Sequence, residues 1–188
     1  MKSSLTVFLI FLVSVWRKKK LKWRITEFTS QLSDSVVRSE LARALKAWSD
    51  VSALSFTEVT SGEDIHIKFV KGDHGDGFPF DGPGGVIVHA FYPEDGRTHF
   101  DDEDIWVVNT TGTDLFTNAA HEFGHALGLG HTNVEGAVMT PVDTGYVPNY
   151  KLHPADIAGI RALYDNRPKI CRNGYEATIR AGIVIIPY

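Results

Sequence analysis

Cysteine occurs once in this chain, at Cys171. No intrachain disulfide can brace the fold, and no thiolate set can hold a metal. Any metal must fall to histidine and carboxylate. An excess of positive charge is also missing: 19 Lys and Arg against 23 Asp and Glu leave a net charge of −4. That gives no electrostatic attraction for nucleic acid. There is no internal repeat. The longest apolar run, residues 5–16 (LTVFLIFLVSVW), falls short of the roughly 20 residues that a membrane-spanning helix needs. It suits the apolar region of a secretory signal. The basic run Arg17-Lys18-Lys19-Lys20 follows directly and would instead hold the segment as an uncleaved anchor or form a basic processing site. The expected organisation is therefore a signal peptide or signal anchor over 1–20, one domain over 21–168, and a tail of unassigned role over 169–188.

Histidine is plentiful, with eight in 188 residues, and six of them fall into two groups. The first lies in HEFGHALGLGH, residues 121–131. In a helix, His121 and His125 sit one above the other on one face and can share one Zn²⁺. Gly128 tolerates the left-handed conformation that ends the helix and lets His131 return as a third ligand. Three ligands with an open fourth position describe catalytic rather than structural zinc. Glu122 is placed to act as a base on a water. The competing reading, a helix with surface histidines, requires the additional Gly and His to be coincidental.

The second group lies in residues 71–104, KGDHGDGFPFDGPGGVIVHAFYPEDGRTHFDDED. Its Gly and Pro content excludes a continuous helix or strand. His74, Asp76, His89 and His99 form a four-donor set, as a closed structural zinc site requires. Asp81, Asp101, Asp102, Glu103 and Asp104 supply hard oxygen donors of the kind Ca²⁺ prefers. Bound metals would cross-link loops that lack a core of their own.

Around these groups, alternation predicts strands near 22–28, 56–59, 65–70, 86–90 and 105–108. Ser33 or Asp34 caps a helix to about Trp48, with Val37, Leu41, Ala44, Leu45 and Trp48 as its core stripe. Further helices are expected over 115–127 and 154–164, the last with Pro at its first turn and Asp156 near its positive end. The run Ile183-Val184-Ile185-Ile186 is β-prone and reads as an edge strand or an aggregation hazard.

HEFGHALGLGH followed by Ala137-Val138-Met139-Thr140-Pro141 resembles the metzincin clan with its methionine turn. Thr132 after the third His resembles the matrixin subfamily, as do EDIHIKFVKGDHGDGFPFDGPGG, HFDDED and ADIAGIRALY. The resemblance runs over about 22–165. It implies an α+β domain: a twisted, mostly parallel five-stranded sheet with one antiparallel edge strand, and three helices. It implies two Zn²⁺, one on His121, His125 and His131 and one on His74, Asp76, His89 and His99. It also implies one or more Ca²⁺, with Asp81, Gly82, Gly84, Val86, Asp101 and Asp104 at one site and Asp64 at a second. Met139 would floor the catalytic metal, with Glu122 as general base.

The function so implied is a zinc metalloendopeptidase, monomeric, secreted or membrane-anchored, acting on extended polypeptides of the extracellular matrix. Substrate would lie along the edge carrying Val88 and Ala90. Residues 141–150, starting at Pro141, would wall the pocket for the side chain after the scissile bond. The family has an aromatic where this chain has Asp143. A cysteine switch is not expected within the chain, because no cysteine precedes the motif. The alternative is a catalytically silent truncated product or a metal-stabilised binding module.

Overall fold

A computed structural model describes residues 14–141 and 145–165, together with the backbone of Ile183–Ile185. Most of the apolar N-terminal run, Asp143 and Cys171 lie outside the described residues.

The chain forms β1 (Lys20–Glu27), α1 (Asp34–Ser49), β2 (Ser55–Glu58), β3 (Ile65–Val70), β4 (Val88–Phe91), β5 (Arg97–Asp101), β6 (Trp106–Val107), β7 (Thr113–Asp114), α2 (Leu115–Ala126), α3 (Pro154–Tyr164) and β8 (Ile183–Ile185). The main sheet runs β2-β1-β3-β5-β4-β8. The first four strands pair in parallel, and β4 runs antiparallel to β5. This is the expected five-stranded sheet with its antiparallel strand, and three helices accompany it among the described residues. The difference lies outside β4, where β8 pairs antiparallel and matches His89 with Ile185 and Phe91 with Ile183. A second, two-stranded sheet joins β6 and β7.

Local chemistry accounts for the helices. Ser33 caps α1, its side chain accepting from the Val36 N–H, with Asp34 in the first turn to complement the helix dipole. The predicted stripe of Val37, Leu41, Ala44, Leu45 and Trp48 is buried. Each large member contributes about 1.5–3 kcal/mol by leaving water. Trp48 also donates its indole N–H to the Ala120 carbonyl at 2.9 Å, tying α1 to α2. Asp114 caps α2 by accepting from the Thr117 N–H. Pro154 opens α3, where Asp156 accepts from the His153 N–H to complete a capping box.

The sequence reading placed residues 14–19 in the leader segment, but the structure packs them onto the domain. Trp16 is buried in the core and donates its indole N–H to the Ala126 carbonyl at 2.8 Å. The contact spans 110 residues, so no local pattern announces it. β5 and β7 were likewise unannounced, and the strand expected over 105–108 shrinks to β6.

Candidate metal centres

Helix α2 delivers His121 and His125, and Gly128 ends it at φ +101°, in the left-handed region. His131 then returns so that the Nε2 atoms of His121 and His125 lie 3.0 Å apart and those of His125 and His131 lie 3.1 Å apart. Ligands of a tetrahedral zinc at about 2.05 Å are separated by about 3.3 Å, so the spacing fits. Tautomers fit as well. His121 donates from Nδ1 to the Val138 carbonyl at 2.5 Å, and His125 from Nδ1 to the Leu129 carbonyl at 2.7 Å. Those bonds leave the Nε2 lone pairs of His121 and His125 facing the same point as His131 Nε2, where a cation can bind. Burial, with the neighbouring histidine adding to it, holds His125 down to about 3. Burial brings His121 to about 4, so both rings are neutral ligands at pH 7. His131 is exposed, which opens the group to solvent.

Glu122 is 2% exposed, and among the described residues its Oε2 has no partner. Burial alone pushes its carboxyl up to about 8. A divalent cation beside it opposes that burial cost and favours the carboxylate. A buried carboxylate one residue from His121, on the helix that carries two of the three converging imidazoles, is placed where it could act as a base.

The methionine turn is fixed from two sides. A Cβ added at Gly124 would collide with the Met139 sulfur, so only glycine admits this approach of the turn to α2. Gly in a helix interior costs about 1 kcal/mol against Ala, and here the cost is offset by the packing it allows. Asp156, 3% exposed, accepts from the Val138 N–H at 2.9 Å and the Met139 N–H at 3.3 Å. It thus holds the residue whose carbonyl orients His121. Neither Gly124 nor this use of Asp156 was foreseen. Asp156 had been read only as a helix-dipole charge.

The second histidine group also assembles. One ligand atom each from His74, Asp76, His89 and His99 lies within 4.8 Å of all the others. Asp76 Oδ2 is 2.9 Å from His74 Nε2, 2.8 Å from His89 Nε2 and 2.9 Å from His99 Nδ1. Its other oxygen accepts from the Phe78 N–H at 2.8 Å. Burial opposes ionisation of Asp76, but that N–H and the His89 ring hold the carboxyl well below the usual carboxylate range. His74 donates from Nδ1 to the Gly72 carbonyl, which frees Nε2 for a metal. Burial and the neighbouring His89 bring His99 down to about 4. The donors fit a closed zinc site.

A third cluster is acidic. Asp101 is fully buried and Asp104 is 6% exposed, and among the described residues each has an Oδ2 without a partner. The remaining oxygens accept from backbone: Asp101 from Glu103 N–H, Asp104 from Gly84 N–H, and Asp81 from Val86 N–H. Burial, with repulsion from Asp104, Glu103 and Asp81, raises Asp101 to about 6. Unpaired carboxylate oxygens beside a glycine-rich loop fit calcium. Asp64 is engaged differently. Its two oxygens meet the Lys18 ammonium at 2.7 Å and the Lys22 N–H at 2.9 Å, so the cation beside it is the chain's own.

This fold, with three converging histidines above a methionine turn, is of the metzincin kind. Residues 15–165 match the family model described as matrixin, and the chain belongs to that family. Relatives include the hatching enzyme of Paracentrotus lividus, 52% identical over 151 residues, covering 79% of this chain and 26% of the relative. Rattus norvegicus stromelysin-3 is 47% identical over 159 residues, covering 82% and 32%. Homo sapiens matrix metalloproteinase-20 is 46% identical over 157 residues, covering 81% and 32%. The chain thus spans between a quarter and a third of the length of these relatives.

Proposed function

We propose that the chain is a secreted or membrane-anchored zinc endopeptidase that hydrolyses peptide bonds in extended segments of extracellular, matrix-type proteins. The observation that carries this reading is the convergence of three neutral imidazoles beside the buried Glu122 carboxylate. His121, His125 and His131 would hold the catalytic zinc, and His74, Asp76, His89 and His99 a structural one. Asp81, Asp101 and Asp104 would hold calcium, with the loop of Gly82, Gly84 and Val86. Zinc, when bound, supplies a Lewis acid that acidifies water and polarises a carbonyl. Glu122 takes the proton of the attacking water and passes it to the leaving amine. The Val138 and Leu129 carbonyls keep His121 and His125 oriented throughout. The matrix preference rests on the relatives' names, and the described residues include no helix long and apolar enough to cross a membrane.

The test uses the full chain, loaded with zinc and calcium, and a quenched generic peptide. Wild type should turn over and a chelator should stop it. Glu122→Gln should lose about 10²–10⁴-fold in kcat/KM while binding the same zinc. Turnover undiminished in that variant would refute the assigned base. A zinc-loaded wild type without turnover would leave a binding module instead.

A further inference from the structure

Side chains alternate along β4. His89 and Phe91 point to the Asp76 centre, their rings 5.9 Å apart and the Phe91 ring 6.2 Å from His99. Ala90 and the residue after the strand, Tyr92, therefore fall on the other face, toward α2. There the Tyr92 ring meets His125 edge-on, with centroids 5.9 Å apart and planes at 82°. Its hydroxyl lies 3.8 Å from where a side chain at Gly130 would begin. Gly130 and His131 are both exposed, so the phenol reaches the mouth of the histidine triad. Among the described residues the hydroxyl has no hydrogen-bond partner.

The triad is flanked on two sides. The methionine turn stands against His121, and Tyr92 stands against His125. On the proposed function, on which this inference rests, the segment beginning at Pro141 takes the side chain after the scissile bond. Tyr92 is then left facing residues before it.

We infer that Tyr92 is a specificity-determining residue, whose hydroxyl hydrogen-bonds an amide or hydroxyl side chain of the substrate before the scissile bond. A free phenol is both donor and acceptor, and it recognises uncharged polar groups best. A carboxylate at that position meets Glu122 and is repelled. The gain is that of one hydrogen bond sheltered from water, up to about tenfold in affinity.

The test pairs peptides identical except for Gln or Leu at each of the three positions before the cleaved bond. Zinc-loaded full chain should prefer Gln at one of those positions by up to about tenfold in kcat/KM. Tyr92→Phe should abolish that preference by lowering kcat/KM for the Gln peptide to that of its Leu counterpart, with zinc content unchanged. Calorimetry with the matching acyl-side cleavage fragments should give the same ratio in Kd, independent of turnover. A ratio unchanged in Tyr92→Phe at all three positions, or equal losses for both peptides, overturns the inference. Failure of wild type to cleave any peptide would instead count against the proposed function, and fragment binding would still decide the role of Tyr92.

Discussion

Asp101 provides a direct test of the acidic cluster. Its carboxyl is fully buried, and burial with neighbouring acids raises it from 3.8 to about 6. Because the folded-state value lies above the unfolded one, its contribution to stability is full only below about pH 3.8. That contribution is lost as the pH rises through about 6. At pH 7 without calcium, the ionised group therefore costs the fold about 3 kcal/mol. For a domain of this size that corresponds to roughly 6–12 °C in Tm. Asp101→Asn keeps the acceptor for the Glu103 N–H and removes the charge. In zinc-buffered, calcium-free solution at pH 7 the variant should melt higher than wild type. The advantage should shrink toward zero near pH 4. In saturating calcium the order should reverse, because wild type gains binding energy that the variant forfeits. Melting curves by calorimetry at both pH values, with and without calcium, give the comparison. If Asp101→Asn melts lower by the same margin with and without calcium, the cluster is not a cation site.

Two further perturbations address the helix and the edge strand. Gly124→Ala should drive Met139 out of its seat, lowering stability by about 1–3 kcal/mol and zinc occupancy with it, as measured by melting and metal analysis. A variant that melts and binds zinc like wild type would show that the turn moves freely. Removing residues 166–188 should free the β4 edge between His89 and Phe91, lowering KM for an extended peptide by up to about tenfold at constant kcat. An unchanged KM would mean that substrate does not use that edge.

What the sequence disclosed, and what it withheld, follows from how local each signal is. Helix α1 was legible because Ser33, Asp34 and a period-3.6 stripe lie within one stretch. The meeting of His121, His125 and His131 was legible because helix geometry and Gly128 bring three imidazoles together within eleven residues. β5 was missed because Arg97–Asp101 is buried at four of five positions and shows no alternation, while two of those four are His99 and Asp101. Trp16 was read with the apolar leader because its partners, the Ala126 carbonyl and the Tyr164 hydroxyl, are remote in sequence. The carbonyls that orient His121 and His125 are backbone atoms, so no residue type could have marked them.

The pairing of Lys18 with Asp64 gives two acidic corners of the domain different dependences on their surroundings. At Asp64 the counter-ion is tethered to the chain, so its local concentration does not fall on dilution or with a chelator. Half-exposed, it weakens instead as salt rises. On the calcium reading, the Asp81, Asp101 and Asp104 corner would draw its counter-ion from solution and respond to free calcium by mass action. One corner of the fold is then sensitive to ionic strength, and the other would follow the composition of the fluid around it.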